Sequence, residues 1–254
     1  MHKIISSLIP GEKDFRFRGG EITRLEGFSD AVFAFAVTLL VVSLEVPHTF
    51  HELVQVMKGF PAFAICFAML VQVWYGHSKY FRRYGLQDAY TTFLNAVLLF
   101  VVLFYVYPLK FLFTNLVGMI TNGAMLPEAQ QTAMLENPGD ARSLMVIYGL
   151  GFAAVFLVMA LLYLNAYRLR AALELNEIEV FRTKHSLTDN IGMCAIGLFS
   201  ALMAISLPRQ LAGLAGYAYF LIGIYYWISG SVGRNRELRV REKMSKSTAA
   251  AVEN

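Results

Sequence analysis

Asp30 and His77 are an acid and an imidazole set in otherwise apolar stretches, His185 and Asp189 are a second such pair four residues apart, and Glu45 is an acid near the end of an apolar run. Ionisable groups at membrane depth are costly and mark ion paths, proton relays or structural pairs. An acid beside an imidazole can pass protons, so Asp30 with His77 is the candidate relay of a proton-permeable or proton-coupled cation transporter. A His and an Asp four apart share a helix face and could begin the metal site of an intramembrane enzyme. Two ligands do not make a site, and no convincing third ligand, His-Glu-x-x-His run or Gly-x-Ser-x-Gly run accompanies them. A turn in which Thr188 or Asp189 caps the next helix accounts for the same residues. Glu45 at the outer end of a helix would concentrate cations at a mouth.

These groups need elements to hold them, and composition says the elements lie in lipid. The chain of 254 residues is 57% hydrophobic and only 16% charged, with a mean hydropathy of +0.51, too little polar surface for a water-soluble globule of this size. A membrane helix needs roughly 20 apolar residues, and six segments qualify, at about 28–46, 53–75, 90–115, 141–165, 188–207 and 210–230. The expected fold is therefore all-α and polytopic, with six transmembrane helices. It divides into an N-terminal segment 1–27, a membrane domain 28–230 and a basic tail 231–254 expected to be disordered. The first 30 residues lack the apolar core and small-residue cleavage site of a secretory signal.

Charge sets the orientation. Of the 22 Lys and Arg residues, all but Lys58, Lys110, Arg142 and Arg209 fall on one side when the N-terminus is cytoplasmic. The positive-inside rule then puts both termini in the cytoplasm, which six spans satisfy. Pro127 to Leu135 is expected as a short outer helix. Pro208-Arg209 is expected to join the last two spans in a tight hairpin, and Gly149-Leu150-Gly151 could mark a mild break. Gly197/Ala201 and Ala212/Gly216 have the small-xxx-small spacing of close helix packing. Cys66 and Cys194 lie in apolar segments and read as packing residues. The basic run from Arg234 to Lys246 anchors topology and suits anionic headgroups.

On the first span, Phe35, Leu39, Val42 and Val46 repeat at i, i+4, i+7 and i+11 and form one apolar ridge at about 100° per residue, with Thr38 bordering it and Glu45 at its outer end. Asp30 points away from that ridge. An antiparallel hairpin brings His77 and Trp74 of the second span to the depth of Asp30, so Arg24, Ser29, Asp30, Trp74 and His77 are expected to form a structural polar cluster. A helix cap by Ser29 or Asp30 is the simpler alternative.

The run from Arg24 to Leu40, with Arg24 followed by Phe28-Ser29-Asp30 and later by Pro47, resembles the Arg-xxx-Phe-Ser-Asp signature of the transmembrane protein 175 potassium channel family; Trp74 and His77 also look like its pattern. The resemblance covers nearly the whole chain. It implies a bacterial or archaeal homotetramer in the inner membrane, permeable to potassium and other monovalent cations, with no cofactor, no enzyme activity and no nucleic-acid partner. It further implies that four first spans line the pore, narrowed by Phe35, Leu39 and Val42 with Thr38 as a polar layer. Phe35 departs from the aliphatic residue usual there. The Thr-Val-Gly-Tyr-Gly carbonyl filter of common potassium channels does not occur, so selectivity would arise at an apolar neck with hydroxyls.

Overall fold

The computed structural model describes the backbone of residues 15–42, 47–125 and 140–252. Among them there are seven α-helices, one 3-10 segment and no strand: α1 Arg24–Val42, α2 Phe50–Lys58, α3 Phe60–Tyr84, α4 Ala89–Ile120, α5 Asp140–Arg168, α6 Glu177–Ser206, a 3-10 segment Arg209–Tyr219 and α7 Phe220–Val252. Glu45 and the expected helix from Pro127 to Leu135 lie outside the described residues, as does the side chain of Val42.

Five stretches are long and apolar enough to cross a membrane: α3, α4, 141–168 within α5, α6, and 210–242. The sixth helix of the expected fold is α1, whose first two turns carry Arg24, Glu26 and Asp30. Its apolar part, Ala31 to Val42, is only about 18 Å long at about 1.5 Å per residue, short for a helix facing lipid.

Several boundaries differ from the sequence expectation. The second span does not begin at 53. Gly59 separates α2 from α3, and Pro61 in the first turn of α3 suits a fresh helix start. The exposed α2 is capped by Thr49, whose hydroxyl accepts from the Glu52 amide at 3.2 Å. Nor does the fifth span begin at 188, because Asn176 and Glu179 form a reciprocal capping box that starts α6 eleven residues earlier. Thr188 sits mid-helix, donating to its own turn at Lys184 O (2.9 Å), so neither it nor Asp189 is a cap. The last two spans are joined through the whole 3-10 segment rather than through Pro208-Arg209 alone. Where the sequence suggests a disordered tail, α7 continues as helix to Val252.

Packing is tightest between α5 and α6. A Cβ on Gly149 would lie 2.8 Å from Gly197 O and 3.0 Å from the Ala201 Cβ, so these small residues let two backbones touch. A Cβ on Gly151 would lie 2.2 Å from the Tyr105 ring of α4. The Gly-Leu-Gly run therefore marks a three-helix contact within an unbroken α5, not a break. Ala212 and Ala215 are fully buried in the 3-10 segment, where Ala215 O accepts from Ser200 Oγ at 3.0 Å.

Tyrosines fill both ends of the core. Tyr80, Tyr84 and Tyr163 pack with ring centroids 5.1–6.0 Å apart at one end. Tyr148 packs on Tyr105 and Tyr219 at the other, and Tyr105 donates to Tyr148 O (2.7 Å). The segment from Phe15 to Gly19 straps the first of these ends. Phe15 is buried against Tyr84 and under the Arg83 guanidinium. Arg18 binds the fully buried Glu179 at 2.8 Å and the carbonyl of Leu173 at 2.7 Å. The strap passes the end of α3 at Gly85, which has φ +60° and lies against the Arg18 backbone, where a side chain would be strained.

Candidate functional site

The helix that opens with the signature begins one turn before it. Thr23 caps α1: its hydroxyl accepts from the Glu26 amide at 3.2 Å and lies 3.1 Å from the Glu26 carboxylate. Ser29 and Asp30 are thus in the second turn, and the reading of either as a helix cap is set aside.

Two faces of α1 live in different surroundings. Ser29, Phe33, Ala36 and Leu40, at i, i+4, i+7 and i+11, are buried at 0–4% exposure against α3 and α4. The opposite side carries Phe28, Ala31, Phe35 and Thr38, all exposed, with Phe35 at 56%. Val42 continues that row by helical spacing. Thr38 Oγ1 donates to Ala34 O at 2.9 Å, leaving the hydroxyl oxygen able to accept another donor or coordinate a cation. Leu39 stands to the side of the row, half-buried and packed on the core, so the free ridge is Phe35 and Thr38 with Leu39 at its flank.

Polar side chains lock the buried face. Ser29 Oγ donates to Leu25 O (2.8 Å) and accepts from Asn95 Nδ2 (2.9 Å), while Asn95 Oδ1 lies 2.7 Å from His77 Nε2. With its amide nitrogen given to Ser29, Asn95 turns its carbonyl to the imidazole, and His77 donates through Nε2. All three residues are at most 1% exposed. The imidazole lies between Phe33 and Phe81, at centroid distances of 5.5 and 4.7 Å. This chain ties α1, α3 and α4 at one depth.

Asp30 takes a different partner, accepting from Trp74 Nε1 at 2.7 Å. The expected cluster is therefore two bonds side by side. Ser29 and His77 are linked through Asn95, Asp30 is bound to Trp74, and Arg24 stays apart, exposed and without an ion pair among the described residues. Asn95 is the residue the sequence reading missed; an amide inside the apolar run 90–115 was its signal. Lys110 of α4 also meets α1. Its ammonium donates to Leu40 O at 2.8 Å, giving the last turn of α1, which has no basic residue of its own, a cation from α4.

The second polar pair does not form a metal centre among the described residues. His185 Nε2 lies 3.6 Å from Asp189 Oδ2, and no group of three or more His, Cys, Asp or Glu is close enough to share an ion. Asp189 Oδ1 instead accepts from Ser229 Oγ (2.6 Å), joining α6 to α7.

Residues 24–105 match the sequence model of a family described as the endosomal/lysosomal potassium channel TMEM175. A protein of Marivirga tractuosa named "Potassium channel" is 42% identical over 226 residues, covering 87% of this chain and 91% of its own length. The crystal structure of a variant of the potassium channel MtTMEM175, bound to a nanobody–MBP fusion, superposes with a TM-score of 0.77 at 39% identity, covering 90% of this chain and 99% of that one. A lysosomal potassium-selective channel TMEM175 homologue from Chamaesiphon minutus shares the fold, with a TM-score of 0.54 at 21% identity over 81% and 95% of the two chains. On the strength of the signature on α1, these helices and this near-complete relationship, the chain is a multi-pass membrane protein that belongs to the TMEM175 family.

Proposed function

We propose that the chain is a potassium-permeable cation channel of the inner membrane, a homotetramer in which four copies of α1 turn their free faces to a common axis. The observation that carries this reading is the contrast between the sealed face of Ser29, Phe33, Ala36 and Leu40 and the uncovered face of Phe28, Ala31, Phe35 and Thr38. A short apolar helix with one bare face is poorly suited to lipid and well suited to a partner helix or an ion path. Phe35 then forms the narrow apolar layer and Thr38 the hydroxyl layer above it. Val42 follows toward the outside, and Leu39 buttresses from the flank. Both termini are cytoplasmic, by the distribution of Lys and Arg. Potassium and other monovalent cations are the permeant species, and the mechanism requires no cofactor and no catalytic residue.

Selection at such a neck has a simple physical form. An ion crossing an apolar ring loses part of its hydration shell, and the larger cation loses it at lower cost. Threonine hydroxyls return part of that cost, giving a moderate preference for potassium over sodium. Withdrawal of water from the same ring closes the path. The relay reading has less to stand on, since Asp30 and His77 engage separate partners.

Reconstituted vesicles test the reading. A potassium gradient is expected to drive flux in the wild type, and Phe35→Ala to raise it while lowering the potassium to sodium ratio. Leu39→Ala, at the flank, should have the smaller effect. Absence of potassium-driven flux, or flux in fixed stoichiometry with a pH gradient, would reject the channel.

A further inference from the structure

A cavity of about 350 Å³ runs between α3 and α4 on one side and α5, α6 and α7 on the other. Its interior is apolar, walled by Leu70, Val73, Val106, Phe152, Val155 and Met193. From Met69 to Lys79 it follows α3 for about 15 Å at about 1.5 Å per residue. Tyr75 and Tyr226 line it yet remain 53% and 44% exposed, which marks its opening between α3 and α7. Left empty in a bilayer, such a cleft would forfeit dispersion contacts on both walls. Water gains little from apolar walls that offer few hydrogen bonds. A hydrocarbon chain from the surrounding membrane supplies the missing contacts.

The end of the cavity is of different chemistry. Lys79, Ser186, Asp189 and Asn190 line it there. Their common depth follows from the antiparallel register of α3 and α6: Arg83 Nη1 donates to Ser186 Oγ (3.4 Å) and Tyr84 bonds Thr183 (2.8 Å). Lys79, one turn further into α3, therefore stands level with Asp189 and Asn190. Helix α6 is about 45 Å long, roughly 15 Å more than the hydrocarbon core. With Ser206 near the outer surface, the surplus lies at its N-terminal end, which puts Ser186 at the inner hydrocarbon boundary and Asp189, Asn190 and Lys79 within about one turn of it, in reach of a headgroup. The rim thus presents an ammonium and a carboxylate together. A wholly anionic headgroup or a free fatty acid would meet Asp189 as a like charge. A headgroup carrying both phosphate and ammonium meets each with its opposite.

We infer that this cavity is a phospholipid site within each subunit, taking one acyl chain of a zwitterionic lipid, its phosphate toward Lys79 and its ammonium toward Asp189. The inference is independent of the pore and stands whether or not the chain conducts potassium. Asp189 keeps its bond to Ser229 and its place beside His185 in this arrangement, so the lipid shares an existing carboxylate rather than requiring a new one. The occupied cleft fills the space left between α3 and α7 beside the direct packing of α4 on α5.

The test is native mass spectrometry with lipid extraction on the full channel, purified in mild detergent from membranes containing phosphatidylethanolamine and phosphatidylglycerol. The wild type is expected to retain phosphatidylethanolamine at one per subunit. Val73→Trp, which fills the cleft from half-buried α3, should lose it at least tenfold, and Lys79→Gln should weaken retention severalfold without altering assembly. Should Val73→Trp fail to assemble, Lys79→Gln and the headgroup preference still decide. Wild-type protein free of stoichiometric lipid, preference for phosphatidylglycerol, or unchanged retention in Lys79→Gln would each overturn the site.

Discussion

Asn95 holds more of the signature helix than the residues that make the signature recognisable. Its amide links Ser29 of α1 to His77 of α3, and all three are sealed from solvent. Replacing it with Ala leaves the imidazole N–H without an acceptor, at about 1–3 kcal/mol, and takes one donor from a Ser29 hydroxyl that keeps its bond to Leu25 O. Asn95→Ala is therefore expected to reduce the thermal stability of the purified assembly sharply, while Asp30→Ala, which frees only the half-exposed Trp74, should reduce it less. Melting curves in one detergent compare the two. Lys110 acts at the other end of the same helix. Lys110→Met removes both the bond to Leu40 O and a cation beside the proposed outer mouth. It should cost about 1 kcal/mol and increase inward cation flux most strongly at low salt, where charge is least screened. Lys110→Arg should restore both. Planar-bilayer recordings at two salt concentrations separate the electrostatic part from the structural one.

At the scale of elements, the sequence made the membrane helices legible, because apolar runs depend on composition alone. It placed helix ends poorly. Asn176 with Glu179 is a visible capping box, but it precedes a polar stretch, and the apolar run beginning near Leu187 drew the expected start downstream. The two faces of α1 were legible in outline from the 3.6-residue period. Period alone leaves a margin of one position, and Leu39, at the edge of the free face, is half-buried on the core because its packing depends on where its neighbours lie. The hairpin of the first two spans brings Trp74 to the depth of Asp30, whereas the partner of His77 is Asn95 of α4, whose place beside α3 no local pattern fixes. Gly151 illustrates the same dependence. It reads as a helix weak point, yet it is where α5 accommodates the Tyr105 ring. Gly151→Ala is expected to destabilise by about 1–3 kcal/mol through overpacking, despite the better helix propensity of Ala. Chemical denaturation followed by tyrosine fluorescence would register the loss.

On the scale of the whole subunit, α1 packs on α3 and α4, α4 packs in turn on α5, and the strap from Phe15 to Gly19 ties the chain just before α1 to α6. Glu179 is the anchor of that strap, receiving the Arg18 guanidinium, the Arg16 amide and the Asn176 amide in full burial. Removing the charge with Glu179→Gln leaves Arg18 unpaired against the core, a loss of about 3 kcal/mol for a buried pair. Proteolysis of the N-terminal segment should accelerate accordingly. At the other end of the strap, where α1 begins, lies the proposed pore, in which the free faces of four copies of this helix would enclose the ion path. Its most direct measurement is block of potassium flux by a thiol-reactive cation in a background where Cys66 and Cys194 are replaced by Ala. Ala31→Cys and Thr38→Cys, on the free face, are predicted to be blocked rapidly, and Ala36→Cys, on the sealed face, to be spared. Equal reactivity at the three positions, or block at position 36 alone, would contradict the placement of the pore on this face of α1.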